Sequence, residues 1–86
     1  MAATVDLPAM DPGAPFDAEW DAGELGCGEL LLKLRVKLRN MPGQIIRLVA
    51  LDRGAVEDIP SYCRITGHRL LMADPDKGIY FIKAKG

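Results

Sequence analysis

The sequence has few cysteines and histidines, the residues that build structural zinc sites and many acid–base sites. Its 86 residues include two cysteines, Cys27 and Cys63, and one histidine, His68. Two cysteines cannot form the disulfide framework of a small secreted domain, and with His68 they fall short of the four ligands of a closed zinc site. We therefore expect no metal and no cofactor, and the residues support no Ser-His-Asp or metal-hydrolase constellation.

The sequence also lacks a long apolar run. Its amino terminus has no basic segment followed by a continuous apolar stretch, as a secretory signal peptide would, and no run is long enough to span a membrane. We therefore expect a cytoplasmic protein with reduced thiols and no membrane partner. A chain of this length is expected to form one domain with a small core, and a monomer is the simplest expectation.

Positive charge is absent from the first part of the chain. No lysine or arginine precedes Lys33, whereas seven acids do: Asp6, Asp11, Asp17, Glu19, Asp21, Glu24 and Glu29. Four bases then come close together: Lys33, Arg35, Lys37 and Arg39. This basic segment is most simply a solvated helix face. RNA binding is an alternative, but the net charge of -1 and the low aromatic content argue against direct nucleic-acid binding.

Residues 1–15 differ in composition from the rest of the chain. They contain several alanines and three prolines, and no period of two or of 3.6 runs through them. We predict a flexible N-terminal arm over 1–15, followed by a folded domain over 16–86.

The segment after this arm combines a weak alternation with a glycine-rich stretch. Phe16, Ala18 and Trp20 would share one face of a half-buried strand over 16–22, with Trp20 as a core anchor. The three glycines of 23–28 predict a loop that allows a tight turn or the close approach of another group.

The next segment, 29–40, fits two secondary structures. Its residues 32–39 alternate between apolar and basic side chains, as in a strand. A helix would instead place five apolar side chains on one stripe: Leu30, Leu31, Leu34, Leu38 and Met41. Leu32 and Val36 would then lie off the stripe among the bases, where a partner or a second helix would cover them. Leucine, lysine and arginine favour the helix, and the following Pro-Gly provides a stop, but the residues alone leave both open.

The second half of the sequence predicts a strand, a helix and a hairpin. The apolar run at 44–51 predicts a central strand buried on both faces. Asp58 is the expected N-cap of a second helix, with Pro60 in its first turn and Gly67 just after its end. Two strands joined by a turn are predicted to close the chain, over 68–73 and 79–85.

Two further residues belong to this second half. Cys63 has helical spacing from Ile59 and is expected to be a small buried apolar residue. His68 follows a helix stop and is expected on the surface or at the cap, rather than in acid–base catalysis. The order of elements, βαβαββ, predicts an α/β (α+β) two-layer sandwich with two helices on one face of a four-stranded mixed sheet.

Three stretches of the sequence match a known pattern. The first is Asp21 with the glycine loop that ends at Gly26-Cys27, and the second is 34–43. The third and most specific is Asp58-Ile59-Pro60-Ser61-Tyr62-Cys63, followed by Gly67-His68-Arg69-Leu70. From about residue 17 onward the sequence resembles the TusA/SirA/YedF family of small sulfur-carrier proteins. The resemblance implies the two-layer sandwich and a helix at 29–40.

The resemblance also implies a function, that of a sulfur carrier or sulfurtransferase. Members of this family carry sulfur as a persulfide on one cysteine, and the matching residue is Cys27. They accept sulfur from a cysteine desulfurase or rhodanese-like donor and pass it to an acceptor protein in tRNA thiolation, cofactor supply or sulfur metabolism.

One departure from the family pattern bears on that function. The family motif Cys-Pro-x-Pro is altered here to Cys27-Gly28-Glu29-Leu30, and the loss of both prolines leaves the loop freer. The alternative function is therefore a protein-binding or regulatory module of the same fold with weakened transfer.

The chemistry expected at Cys27 follows from its place before a helix. A helix N-terminus favours the thiolate, and Lys33 would help, whereas Glu24 and Glu29 would oppose it. Cys27 has no Cys-x-x-Cys partner, which argues against a dithiol oxidoreductase. The expected docking surface for partners consists of six residues: Gly26, Gly28, Glu29, Lys33, Val36 and Lys37.

Overall fold

The computed structural model describes residues 15–86, apart from the side chain of Cys27. Its elements are β1 (Ala18–Gly23), α1 (Cys27–Arg39), β2 (Ile45–Ala50), α2 (Ala55–Thr66), β3 (Arg69–Asp74) and β4 (Ile79–Lys83). This order confirms the predicted βαβαββ arrangement. The predicted N-terminal arm lies outside the described residues, except for Pro15. Within 15–86, neither helix is long and apolar enough to cross a membrane.

The four strands form one mixed sheet in the order β1-β2-β4-β3. β1 and β2 are parallel and are joined through α1, because parallel neighbours need a long crossover. β4 runs antiparallel to both β2 and β3. β1 and β3 are therefore the edge strands, and each has an irregular register, between Asp21 and Gly23 in β1 and between Leu70 and Met72 in β3.

Both helices pack on the same face of this sheet. The core that they share with the strands includes Leu30, Leu34, Leu38, Ile46, Leu48, Ile59, Cys63, Tyr80 and Ile82. Leu30, Leu34 and Leu38 are at most 1% exposed, Met41 is 7% exposed and Leu31 is half-buried against the core, which confirms the predicted helical stripe. The alternation at 32–39 therefore does not reflect a strand, because only two of its four apolar residues, Leu34 and Leu38, are buried in the core, one helical turn apart.

α2 begins earlier than its sequence suggests. The predicted N-cap, Asp58, is wrong: Gly54 is the N-cap, and the Asp58 N–H donates to the Gly54 carbonyl at 2.9 Å. Asp58 lies in the first turn, where its charge suits the positive end of the helix dipole. Pro60 lies inside the helix rather than in the first turn. The predicted end is confirmed, because Gly67 adopts the left-handed conformation (φ 87°) and donates its N–H to the Cys63 carbonyl.

The other face of the sheet carries a polar and an aromatic pair. Strand pairing places Glu19 opposite Arg47 and Arg47 opposite Phe81, and Arg47 forms an ion pair with Glu19. Phe16 packs edge-to-face against the fully buried Phe81, with 6.3 Å between ring centroids. We call this the open face, because α1 and α2 both lie on the opposite side.

The prediction that Phe16 and Trp20 share a face is wrong. Trp20 pairs with Leu48 and packs, half-buried, against the core on the helix side, as expected for a core anchor. The strand begins only at Ala18, after a bend at Asp17 whose N–H donates to the Ile45 carbonyl at 2.8 Å. The alternation therefore does not extend back to Phe16.

β2 is the central strand, as its apolar run predicts. Ile46, Leu48 and Ala50 are buried on the helix side. The intervening residues are half-buried on the open face, so the prediction of full burial on both faces is correct for the helix side only.

Candidate functional site

Cys27 is the first residue of α1 and not part of the loop before it. The prediction that this helix begins at Glu29 is therefore wrong. Gly26 is the N-cap, with extended backbone (φ -67°, ψ 153°), and its carbonyl accepts the Leu30 N–H at 2.8 Å. Gly26 has no side chain and supplies no capping hydrogen bond. The first N–H groups of a helix have no intrahelical partner, so these groups and the positive end of the helix dipole lie at the position of Cys27.

This helix start lies at the carboxyl edge of the parallel strands. The Gly23 carbonyl at the end of β1 accepts the N–H of Leu51, just after β2, at 2.7 Å. Gly23 has a φ of 58°, a left-handed conformation that lets the chain turn from β1 toward α1. In open α/β sheets the carboxyl edge is the usual place for ligand binding. The fold therefore places Cys27 at the edge where a site is expected.

Open space lies on both sides of Cys27 along the chain. A Cβ added at Gly26 or at Gly28 would meet no heavy atom within 4 Å. Neither neighbouring residue has a side chain of its own. The backbone on either side of Cys27 is therefore accessible to another molecule.

The two charges closest to this helix start on α1 are joined to each other. Lys33 Nζ lies 3.4 Å from Glu29 Oε2, and both side chains are more than half exposed. Their predicted opposite effects on Cys27 thus come from a single exposed ion pair, which contributes little in solvent. The helix dipole remains the feature that favours an anion at this position.

The expected docking residues follow the solvent side of α1. Val36 is 53% exposed and Leu32 is 61% exposed, and within 15–86 no second helix covers them. Lys37 is turned toward β1, where its Nζ lies 5.0 Å from the centroid of the Trp20 ring in a cation–π contact. Lys37 therefore lies to one side of the surface that Lys33 and Val36 share.

Two exposed apolar residues at the same sheet edge are not singled out by the sequence. Leu51 directly follows β2 and is 54% exposed, and Val56 lies in the first turn of α2 and is 41% exposed. Leu51 cannot be recognised as exposed from the sequence, because it continues the apolar run of β2 and is therefore predicted to belong to the buried strand. The turn residues that follow it are the only local indication that the strand ends at Ala50.

Cys63 has the environment that the sequence predicts. It is 2% exposed and belongs to the core beneath α2. Burial raises the pKa of its thiol to about 11. The thiol is therefore protonated near neutral pH and unsuited to nucleophilic attack.

His68 lies away from the start of α1. α2 starts near the sheet edge that holds Cys27, and His68 comes just after the opposite end of this 12-residue helix, next to Gly67. Such a helix is about 18 Å long. The His68 Nδ1 accepts the Lys85 N–H at 2.9 Å, and burial together with the charge of Lys85 lowers the pKa of the imidazole. His68 is therefore not brought together with Cys27.

Comparison with known proteins identifies the family. The family model described as Sulfurtransferase TusA matches residues 18–85, from the start of β1 to beyond β4. The chain therefore belongs to the TusA sulfurtransferase family. The match includes the start of α1 with Cys27.

Several bacterial relatives are similar over most of their length. The chain is 36% identical over 72 residues to the sulfur carrier protein TusA of Pseudomonas syringae pv. syringae (strain B728a), which covers 80% of this chain and 86% of the relative. It is 35% identical over 74 residues to the sulfur carrier protein TusA of Pseudomonas paraeruginosa, covering 83% and 94%. The TusA protein of Pseudomonas putida (strain GB-1) is 36% identical over 72 residues, covering 80% and 90%.

Proposed function

We propose that this protein is a sulfur carrier that relays sulfane sulfur as a persulfide on Cys27. The observation that carries the proposal is the position of Cys27, which is the first residue of an uncapped helix at the carboxyl edge of the sheet. Membership of the family, and the name that the relatives share, support the same role.

The proposed relay consists of two exchanges between sulfur atoms. The Cys27 thiolate attacks the outer sulfur of a donor persulfide, so that an S–S bond forms at Cys27 while the donor S–S bond breaks and the donor leaves as a thiolate. An acceptor thiolate then attacks the outer sulfur on Cys27, and the Cys27 thiolate is released. The two steps leave Cys27 unchanged, so this chain supplies no electrons and the relay requires no redox cofactor in it.

The partners of this relay are a donor and an acceptor protein in the cytoplasm. The donor is a cysteine desulfurase or a rhodanese-like protein, and the acceptor serves tRNA thiolation, cofactor supply or sulfur metabolism. Both would dock at the start and along the solvent side of α1, over Gly26, Gly28, Glu29, Lys33 and Val36, with Lys37 beside this surface. The exposed Leu51 and Val56 extend that surface along the sheet edge.

Sulfur loading tests the proposal directly. The protein is incubated with a cysteine desulfurase and cysteine, or with a rhodanese and thiosulfate, and its intact mass is measured. We expect the mass of one added sulfur atom, removed by a thiol reductant, in the wild type and in Cys63→Ala. We expect no addition in Cys27→Ser, because Cys63 is buried and protonated.

The same variants distinguish the alternative, a binding module with weakened transfer. The exposed apolar residues Leu32 and Val36 favour it, because they offer a docking surface that does not depend on the thiol. If the wild type takes up no sulfur while Cys27→Ser still binds the donor protein, the binding module replaces the carrier. An adduct of equal size in Cys27→Ser would place the persulfide elsewhere and contradict the proposal.

A further inference from the structure

A groove lies between the C-terminal halves of the two helices, away from Cys27. It has a volume of about 780 Å³ and is lined by Arg35, Leu38, Arg39, Tyr62, Ile65, Thr66, His68 and Lys85. That volume is within the range of small-molecule sites, which are roughly 300–1,000 Å³. We call it the basic groove.

Among residues 15–86, no acid neutralises the positive charges of the basic groove. No carboxylate of these residues lines it, and their ion pairs involve other bases, Lys33 and Arg47. Arg35 and Arg39 are one helical turn apart on α1, where like charges repel each other. A bound anion would therefore interact with unpaired cations and relieve their repulsion.

A second, independent observation is the hydroxyl group of Tyr62. This atom is buried and has no hydrogen-bond partner in the part of the chain that the structure describes. Buried polar atoms nearly always have a partner, so an unpaired one at a groove indicates a missing ligand or water. The charges of Arg35 and Arg39 both act on this hydroxyl and oppose the rise in its pKa that burial causes.

His68 adds a further polar group. Its ring stacks on Tyr62, with 6.1 Å between centroids, and its Nδ1 is occupied by the Lys85 N–H. The neutral ring therefore carries its proton on Nε2 and can donate from that atom. Of the remaining lining residues, Leu38, Ile65 and the ring of Tyr62 offer apolar surface, and Thr66 is polar.

We propose that the basic groove binds a small phosphate monoester whose organic part is apolar or aromatic. A phosphate monoester has close to two negative charges and three acceptor oxygens, which suits three cations and a hydroxyl donor better than a single carboxylate does. The apolar walls and the volume leave room for a body larger than the phosphate itself. The site is independent of the sulfur relay, since it uses neither Cys27 nor the sheet edge beside it.

Titration with three probes tests this site. Backbone amide NMR spectra are recorded with phenyl phosphate, inorganic phosphate and benzyl alcohol. We expect saturable shifts around Arg35–Arg39, Tyr62–His68 and Lys85 with phenyl phosphate, about tenfold weaker binding of inorganic phosphate, and no saturable shift with benzyl alcohol. Absence of saturable shifts with phenyl phosphate, or equal binding of all three probes, would overturn the proposal.

Matched variants separate the groove from general positive charge. We expect the double variant Arg35→Gln/Arg39→Gln to weaken phenyl phosphate binding by about tenfold or more, because hydrogen bonds to charged groups are lost. Arg64→Gln removes an exposed charge from α2 outside the groove and should leave the affinity unchanged. Equal loss in Arg64→Gln would show that only net charge matters and would contradict the site.

Tyr62→Phe provides a readout that a merely structural role would not give. Because the hydroxyl has no hydrogen-bond partner among residues 15–86, its removal should leave the unfolding midpoint unchanged or slightly raised. The same variant should bind phenyl phosphate severalfold more weakly. Unchanged affinity would remove Tyr62 from the site. A short single-stranded RNA that binds the groove more tightly than phenyl phosphate would show a nucleic-acid site and overturn the small-ligand proposal.

Discussion

Cys27 and Cys63 occupy different places in one small domain. Cys27 begins α1, where the N-cap Gly26 supplies no side-chain hydrogen bond, whereas Cys63 lies in the core with its pKa raised to about 11. A thiol reacts as the thiolate, so a helix N-terminus promotes reaction and burial suppresses it. We therefore expect the two cysteines to differ in reactivity.

Alkylation kinetics will show this difference. At about pH 8 in native protein, we expect iodoacetamide to modify Cys27 at least roughly a hundredfold faster than Cys63, because the raised pKa leaves little Cys63 thiolate. The measurement is the mass of labelled peptides with time, with denatured protein as the control in which both cysteines react. Comparable native rates at the two cysteines would contradict the assigned environments.

The raised pKa of Cys63 predicts that the folded protein loses stability at alkaline pH. The unfolded thiol ionises near its ordinary pKa of 9.0, while the folded thiol does so only at about 11. The contribution of the protonated Cys63 thiol to the free energy of unfolding is complete below pH 9 and is lost as the pH rises from 9.0 to about 11. Over that interval the wild type should lose stability more steeply than Cys63→Ala in urea unfolding.

Helix ends were the least predictable elements of this chain, and the reason lies in their caps. Gly26 and Gly54 are the N-caps of α1 and α2, and neither supplies a side-chain hydrogen bond. Sequence patterns look for Ser, Thr, Asp or Asn at this position, so both predicted starts were too late. The end at Gly67 was predicted because its left-handed backbone has a strong residue preference.

Two glycines in these elements should respond oppositely to alanine. Gly67→Ala should destabilise the fold by about 1–2 kcal/mol, because its φ is 87° and the new Cβ would lie 3.1 Å from Lys85 Cδ. Gly28→Ala should stabilise it by up to about 0.5–1 kcal/mol, since the residue is helical and the added Cβ meets open space. The shift of the urea unfolding midpoint, with an unchanged m-value, measures both effects. A stabilising Gly67→Ala would contradict the left-handed cap.

At the scale of the whole molecule, the order of elements was enough to predict the two layers, but the contacts between residues far apart in the sequence could not be predicted from it. Two crossovers and a hairpin are enough to predict one four-stranded sheet with a helical layer. The position of Phe16 depends on hydrogen bonds between Asp17 and Ile45, 28 residues away. The basic groove likewise depends on Lys85 meeting His68, 17 residues away, so no local pattern indicates it.

The aromatic pair on the open face should contribute to global stability. Phe16→Ala removes the edge-to-face contact with Phe81 and uncovers that ring, so we expect a loss of about 1 kcal/mol in the free energy of unfolding. Leu32→Ala, at a side chain that is 61% exposed, is the control and should change it by less than about 0.5 kcal/mol. Equal effects in thermal or urea unfolding would show that Phe16 does not cover the sheet.

The irregular register in each edge strand has a consequence for the behaviour of the protein in concentrated solution. An exposed, regular edge offers a row of unpaired N–H and C=O groups to a second chain and is a starting point for aggregation. In β1 the Asp21 carboxylate accepts a hydrogen bond from the Gly23 N–H at 2.9 Å, and in β3 the regular pairing with β4 is interrupted between Leu70 and Met72. Both outer edges of the sheet therefore discourage continuous pairing with another copy, while the helix start that holds Cys27 stays available for brief encounters.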